Sequence, residues 1–339
     1  MAGVSDVTVA AASRRELVRA GLRLAGLLLA AVLLVQPVAA QAQLQAQSWP
    51  RTVSHEAGEL TLPAKPLRIV STSPSVTGIL LAIGAPVVAS AATTPSPLTD
   101  RKGFFAQWAE VADTRGVKVL YGNLQFDIEA VIGARPDLVV ASATGADSGM
   151  PYLAELKAQG IPTLVVNYSN NSWQDIALQL GKALGLEAEA DAAVKRFDAH
   201  AAEVAARITP PRAPVSIVGY NIGSSYSVAQ PTGTQARLLQ ALGFTVVGLP
   251  AGMATNVARA SDYDFVSREN LSAAIQGESV FLLRGTDKDV AAFLADPVLA
   301  NHPAVVNKRV YALGPTSFRI DYYSGLQMVD RVAAAFAKP

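Results

Sequence analysis

The sequence predicts an α/β protein of two lobes, each with a mainly parallel sheet covered by helices, joined by one long rigid helix. Three observations predict it. From residue 67 onward, short and continuously apolar runs alternate with helical segments, the pattern of parallel sheets covered on both faces. The rhythm breaks once, at "LEAEADAAVKRFDAHAAEVAARI", which holds no Gly or Pro and spaces its apolar residues as a helix does. The alternation then restarts and runs to the C-terminus. The expected layout is an N-lobe over 48–186, an interlobe helix over 187–209 and a C-lobe over 210–337. A single large doubly wound sheet is the alternative.

Residues 1–40 read as a cleavable export signal. Arg14, Arg15, Arg19 and Arg23 precede the apolar run Leu24 to Val35, which Pro37 ends; Val38 and Ala40 then offer small residues for cleavage after Ala40. The run is shorter than the roughly 20 apolar residues that span a bilayer, although an uncleaved anchor is the alternative. "SRRELVR" leaves open whether the twin-arginine or the general route is used. The chain has no cysteine, which excludes a lipid-attachment site, disulfides, thiolate metal sites and a cysteine nucleophile. The expected compartment is the periplasm. Removing 1–40 takes four arginines against Asp6 and Glu16, turning a formal charge of +1 into −1. So neutral a chain has no global field to collect nucleic acid or anionic lipid, and any anion preference must be local.

The elements follow in order. "RTVSHEAGELTLPAKP" reads as a hairpin. "LRIVS" is a buried strand, and "SPSVTGILLAIG" supplies Ser73 as N-cap, Pro74 at the first helical position and Gly84 as stop. Strand "VVASAATT" comes next, then strand "KVLY", helix "DIEAVIGA", strand "DLVVASAT", helix "PYLAELKAQG", strand "PTLVVNY" and helix "SWQDIALQLGKALG". The interlobe helix, about 22 residues, spans roughly 33 Å and stops at "TPPRAP". Beyond it the spacing predicts strand "VSIVGY", helix "TQARLLQALG", strand "TVVGL", helix "SRENLSAAI", strand "SVFLLRG", helix "KDVAAFLAD", strand "RVYAL" and a last helix ending at Ala337.

Ligands of open parallel sheets bind beyond the carboxyl ends of the strands. In the N-lobe those positions hold Ser71 and Thr72, Thr93 and Thr94, Tyr121 and Thr144, with Arg101 and Lys102 in the loop after Thr94. In the C-lobe they hold Tyr220 and Asn221, the loop containing Arg259, then Arg284, and finally Phe318 and Arg319. Arg284 ends a strand whose other residues must be buried, where an unpaired guanidinium costs roughly several kcal/mol. It either holds an anion or pairs with Asp287 or Asp289. For Arg319 the internal partner would be Asp321 or Asp330, and Arg101 and Arg259 are site cations or solvated loop residues.

Catalysis is not expected. His55, His200 and His302 fall on different elements, without metal-ligand spacing and without a Ser, His and acid trio at strand ends. No Gly-rich phosphate fingerprint follows a strand. Two glutamates occupy matching places: Glu129 and Glu269 each open a short helix nine or ten residues before a strand. The helix dipole alone favours acids there by about 0.3–1 kcal/mol; otherwise one acidic point per lobe meets a two-fold symmetric partner.

Stretches across nearly the whole mature chain carry a resemblance. They are "RIVSTSPSVTGILLAIGAPVVASAATTP", "PDLVVASATGADS", "LLQALGF", "LPAG", "ENLSAAIQGESVFLL" and "ADPVLANHPAVVNKRVYALGPTSFRIDYYSGLQMVDR". With the two-lobe layout, they resemble the periplasmic binding proteins of iron–siderophore, haem and cobalamin ABC importers, and among these the ferric enterobactin binders. The resemblance implies a non-enzymatic monomer that carries a ferric catecholate siderophore to a dimeric inner-membrane permease with ATPase subunits. It implies that Arg319 lies in the siderophore pocket and that Glu129 and Glu269 dock on permease arginines. Iron would be held only through the siderophore, with no cofactor. Haem, cobalamin and hydroxamate chelates are the alternative ligands, and an exported α/β hydrolase is the alternative class. The wider class often has a glutamate where this chain has Gly78, and the C-lobe loop "NIGSSYSVAQPTG" has Tyr226 but no Trp or Arg. Arg284 stands where close relatives carry no cation.

Overall fold

A buried strand that leads straight into a buried helix sets the pattern of the N-lobe. In the computed structural model, β3 (Ile69–Ser71) is fully buried, and α1 (Pro74–Ala82) starts on Pro74 and stops at Gly84, which takes φ +74°. The structure describes residues 49–254, 257–260 and 262–338. The expected export signal lies outside them. The unit running from Pro50 to the C-terminus contains everything that follows.

β1 (Arg51–His55) and β2 (Gly58–Leu62) form the expected antiparallel hairpin. After α1 come β4 (Val87–Ser90), α2 (Ala109–Thr114), β5 (Lys118–Val119), α3 (Ile128–Ala134), β6 (Leu138–Ser142), α4 (Leu153–Ala158), β7 (Thr163–Val166) and α5 (Trp173–Leu184). The strands make one parallel sheet in the order β5-β4-β3-β6-β7. All five residues of β6 are buried, as a strand covered on both faces requires. Local sequence fixes the helix ends: Asp127 caps α3, while Ser172 and Asp175 form a capping box on α5, which Gly185 ends in the left-handed region.

The interlobe helix α6 runs Glu187–Arg207. The C-lobe comprises β8 (Val215–Ile222), β9 (Ser225–Ala229), α7 (Thr234–Ala241), β10 (Ala258–Ala260), β11 (Tyr263–Val266), α8 (Leu271–Ala274), β12 (Ser279–Leu282), α9 (Asp287–Leu294), α10 (Pro303–Val306), β13 (Val310–Ala312) and α11 (Tyr322–Phe336). Its sheet has the order β10-β11-β9-β8-β12-β13. Here the structure departs from the expected rhythm. Only the β8–β12 and β12–β13 pairs are parallel, whereas β8 turns back into β9 and β9 pairs antiparallel with β11. Gly223 and Ser224, both with positive φ, make the two-residue turn. β9 thereby takes the edge of β8, and the expected strand "TVVGL" is reduced to a single bridge between Val246 and Val215.

α11 belongs to both lobes. It packs along α6 and also against α1. Trp173 of α5, Phe197 of α6 and Tyr322 of α11 form one ring cluster, with centroids 5.0, 5.6 and 6.4 Å apart, and Gly325 lets the Phe197 ring lie on the α11 backbone. His200 of α6 contacts Asp330 of α11 at 2.6 Å. No helix of the described residues is long and apolar enough to cross a membrane.

Candidate functional site

The carboxyl ends of the two sheets face each other across a cleft of about 310 Å³, lined by Thr93, Thr94 and Leu98, by Asp147 and Tyr168, and by Phe318 and Arg319. Arg319 reaches it from the segment between β13 and α11. Gln235, buried at the start of α7, donates to the carbonyls of Ser317 at 2.8 Å and Phe318 at 3.1 Å, and Ser324 Oγ donates to the Arg319 carbonyl at 2.8 Å. The backbone of Arg319 is thus fixed from both sides.

The Arg319 side chain is fixed by rings. Its guanidinium carbon lies 4.3 Å from the Phe318 centroid and 5.0 Å from the centroid of Tyr168, which follows β7 in the other lobe. Among the described residues no carboxylate pairs with it. Asp330 is with His200, and Asp321 caps α11 by accepting from the N–H groups of Tyr323 and Ser324. Tyr168 in turn donates to Asp147 at 2.6 Å. Asp147 also accepts from Ser73 Oγ at 2.5 Å and from the Ser75 N–H at 3.2 Å. Ser73, expected as the α1 N-cap, therefore spends its hydroxyl on Asp147 and makes no side-chain cap.

Arg284 lines an adjoining cavity of about 270 Å³ together with Tyr220, Asn221 and, from the N-lobe, Leu98. It takes φ +56° just past β12, and its N–H donates to Ser317 Oγ at 2.9 Å. Its guanidinium lies 5.5 Å from the Phe318 ring, so two arginines flank one phenylalanine. Burial pulls the Arg284 pKa down and nearby Asp289 opposes the shift. Asp289 itself closes the α9 capping box with Thr286, and no ion pair joins it to Arg284 among the described residues.

The remaining expected residues are placed less centrally. Tyr220 lines the second cavity, but its ring packs on Tyr226 and Phe293 and its hydroxyl donates to the buried Asp296 at 2.8 Å, which also holds Arg268 at 2.7 Å. Burial first, then this hydrogen bond, raises the Tyr220 pKa. Thr144 bonds Ser169 at 2.9 Å and lines neither cavity. Arg101 is exposed on the turn after Thr99 and lines neither. Arg259 lies on β10, and its side chain is outside the described residues. Glu129 is exposed in the first turn of α3. Glu269 is exposed in the turn just before α8, rather than inside that helix, and hydrogen bonds from its own N–H and from Ser267 hold its carboxyl below the usual range. β11 is parallel to β8 through two antiparallel steps, so α8, like α3, starts at the carboxyl end of a parallel crossover. Both glutamates thus stand on the cleft side of their sheets. No group of three metal-ligating side chains occurs among the described residues.

Beneath the cleft the lobes meet at Asp321. Its second oxygen accepts from Gln107 of the N-lobe at 3.3 Å, and it presses against Gly78 of α1, where a Cβ would overlap both this oxygen and the Trp108 ring. A glutamate in place of Gly78 would have no room here. Burial raises the Asp321 pKa to about 6, against the hydrogen bonds from Ser324, Gln107 and Tyr323.

Comparison with known proteins agrees with this architecture. The family model described as periplasmic binding protein matches residues 69–316. The ferric enterobactin-binding periplasmic protein FepB of Escherichia coli O6:H1 is 42% identical over 324 residues, which cover 94% of this chain and 98% of that protein. The crystal structure of holo-ViuP superposes with a TM-score of 0.78 at 38% identity, covering 86% of this chain and 96% of that one. Staphylococcus aureus SirA complexed with staphyloferrin B shares the fold, with a TM-score of 0.65 at 18% identity over 85% of this chain and 100% of its own.

Proposed function

The chain belongs to the periplasmic binding protein family, and from that premise we propose that it captures a ferric catecholate siderophore of the ferric enterobactin type and delivers it to an inner-membrane ABC importer. One observation carries the choice of ligand: Arg319 lies in the interlobe cleft on two aromatic faces, and among the described residues no carboxylate consumes its donors. A ferric tris-catecholate is a trianion spread over six oxygens on a body of aryl rings. Guanidinium suits it by charge-assisted hydrogen bonds and by stacking. Such bonds contribute about 1.5–3 kcal/mol each, so Arg319 and Arg284 together supply a substantial share of the roughly 8–12 kcal/mol of micromolar-to-nanomolar binding. Phe318 offers a ring face between them. The chelate is bound whole, without protein ligands to iron, and leaves chemically unchanged.

The test is a titration of intrinsic tryptophan fluorescence with ferric enterobactin, ferrichrome as a neutral hydroxamate chelate, haem and cobalamin. Saturable quenching at micromolar ferric enterobactin or below, with weaker response to the neutral chelates, is expected. A flat titration sinks the reading. The periplasm and a monomeric carrier belong to the same proposal, as does docking through Glu129 and Glu269. Glu129→Ala with Glu269→Ala is expected to leave ligand affinity within twofold while uptake through the importer in cells falls severalfold. Loss of affinity in that variant would overturn the docking role.

A further inference from the structure

Arg319 and the buried Asp147 are separated by a single phenol ring. The guanidinium lies against the Tyr168 ring, 5.0 Å from its centroid, while the Tyr168 hydroxyl donates to Asp147 Oδ1 at 2.6 Å. The other Asp147 oxygen is held by Ser73 Oγ and the Ser75 N–H. Gly145 backs the hydroxyl with φ +83°, and any Cβ there would overlap it. Backbone conformation and space therefore both keep this position open for the phenol. Burial pushes the Tyr168 pKa up, Asp147 pushes it further and Arg319 opposes, so the group is a neutral donor at ordinary pH.

A carboxylate in direct contact with Arg319 would occupy the guanidinium fork in a bidentate pair. An interposed ring keeps the negative charge near enough to offset part of the cost of burying the cation, yet leaves its N–H groups unconsumed. The ring face adds its own attraction to the cation. On the reading that the cleft takes an anionic chelate, we propose that Tyr168 is a positioning residue that seats Arg319 and insulates it from Asp147, so that the cleft discriminates chelates by charge.

The experiment measures Kd for ferric enterobactin and for ferrichrome in the wild type, Tyr168→Phe and Tyr168→Leu, at low and at moderate salt. Tyr168→Leu removes the seat and is expected to weaken ferric enterobactin binding tenfold or more, and ferrichrome binding severalfold less, which narrows the ratio of the two. Tyr168→Phe keeps the ring and frees Asp147, and is expected to fall between. In an Arg319→Met background Tyr168→Leu should no longer change the ratio. Equal losses for both chelates would make Tyr168 a merely structural residue and overturn the proposal. A double-mutant cycle on the urea stability of the ligand-free protein, pairing Tyr168→Leu with Arg319→Met, tests the contact without any chelate. Additive effects would refute the seat, and non-additive ones support it. Failure of the wild type to bind either chelate refutes the carrier reading, and the cycle still decides the seat.

Discussion

Replacing Arg319 by alanine is expected to weaken ferric enterobactin binding by between ten- and a hundredfold, with the fold intact. The direction follows from a cation in the cleft that pairs with no carboxylate among the described residues. The size follows from the loss of one charge-assisted hydrogen bond at about 1.5–3 kcal/mol, where about 1.4 kcal/mol is a factor of ten. Stability should hold because Gln235 and Ser324 grip the Arg319 segment through backbone carbonyls, which alanine retains. Arg319→Lys keeps the charge but loses the planar fork and the flat stack on Tyr168 and Phe318, and should fall between wild type and alanine. Fluorescence titration at fixed ionic strength checks all three. An unchanged Kd in Arg319→Ala removes this residue from the pocket.

The largest expected effect on stability belongs to Asp321. Its carboxyl titrates near 3.9 in an unfolded chain and at about 6 in the fold, because burial disfavours the charge. Folding therefore favours the protonated form. The stability this group contributes is fully present below about pH 4 and is lost as the pH rises through about 6, a change on the order of 3 kcal/mol. Asp321→Asn keeps an acceptor for the α11 N-cap and carries no charge, so it should remove this component of the pH dependence. Urea midpoints for both proteins at pH 4.5 and 7.5 supply the check. The variant should gain on the wild type between the lower and the higher pH. If the two proteins shift in parallel, Asp321 does not titrate in that window.

Much of this molecule is legible in its sequence because its grammar is local. Apolar runs such as "LVVAS" in β6, punctuated by caps such as Asp127 and Ser172, determine the N-lobe strand by strand. The long Gly- and Pro-free stretch becomes α6, two residues shorter than the expected end at 209. The β8–β9 hairpin is written too, as Gly223–Ser224 between apolar segments, but the expectation of a restarted βα rhythm hides it. Phe318 and Arg319 follow from the rule that sites gather at strand ends. Tyr168 obeys the same rule, two residues after "TLVV", and would be found by applying it to β7 as well. What no local pattern reveals is partnership. Asp147 sits in a "TGADSG" loop that reads as an ordinary turn, and its role depends on Ser73, Ser75 and Tyr168, each on another element. Tyr220 shows the converse: its position at a strand end suggests a ligand contact, while its hydroxyl is held by Asp296 from a distant turn.

Because α11 leaves the C-lobe to pack on α1 and α6 together, the lobes are bolted at two places rather than hung on one. A wide swing would part Asp321 from Gln107 and prise open the Trp173–Phe197–Tyr322 rings. Both changes expose groups that burial now satisfies, so a long stroke is opposed by the same contacts that hold the resting form together. A cleft so braced is expected to load with little change of width, and with little change in the spacing between Glu129 and Glu269. On the proposed function, what loading changes is the charge between them, because a trianion would settle over Arg319. A translocator that distinguishes full carriers from empty ones would then be reading electrostatic contrast, not distance.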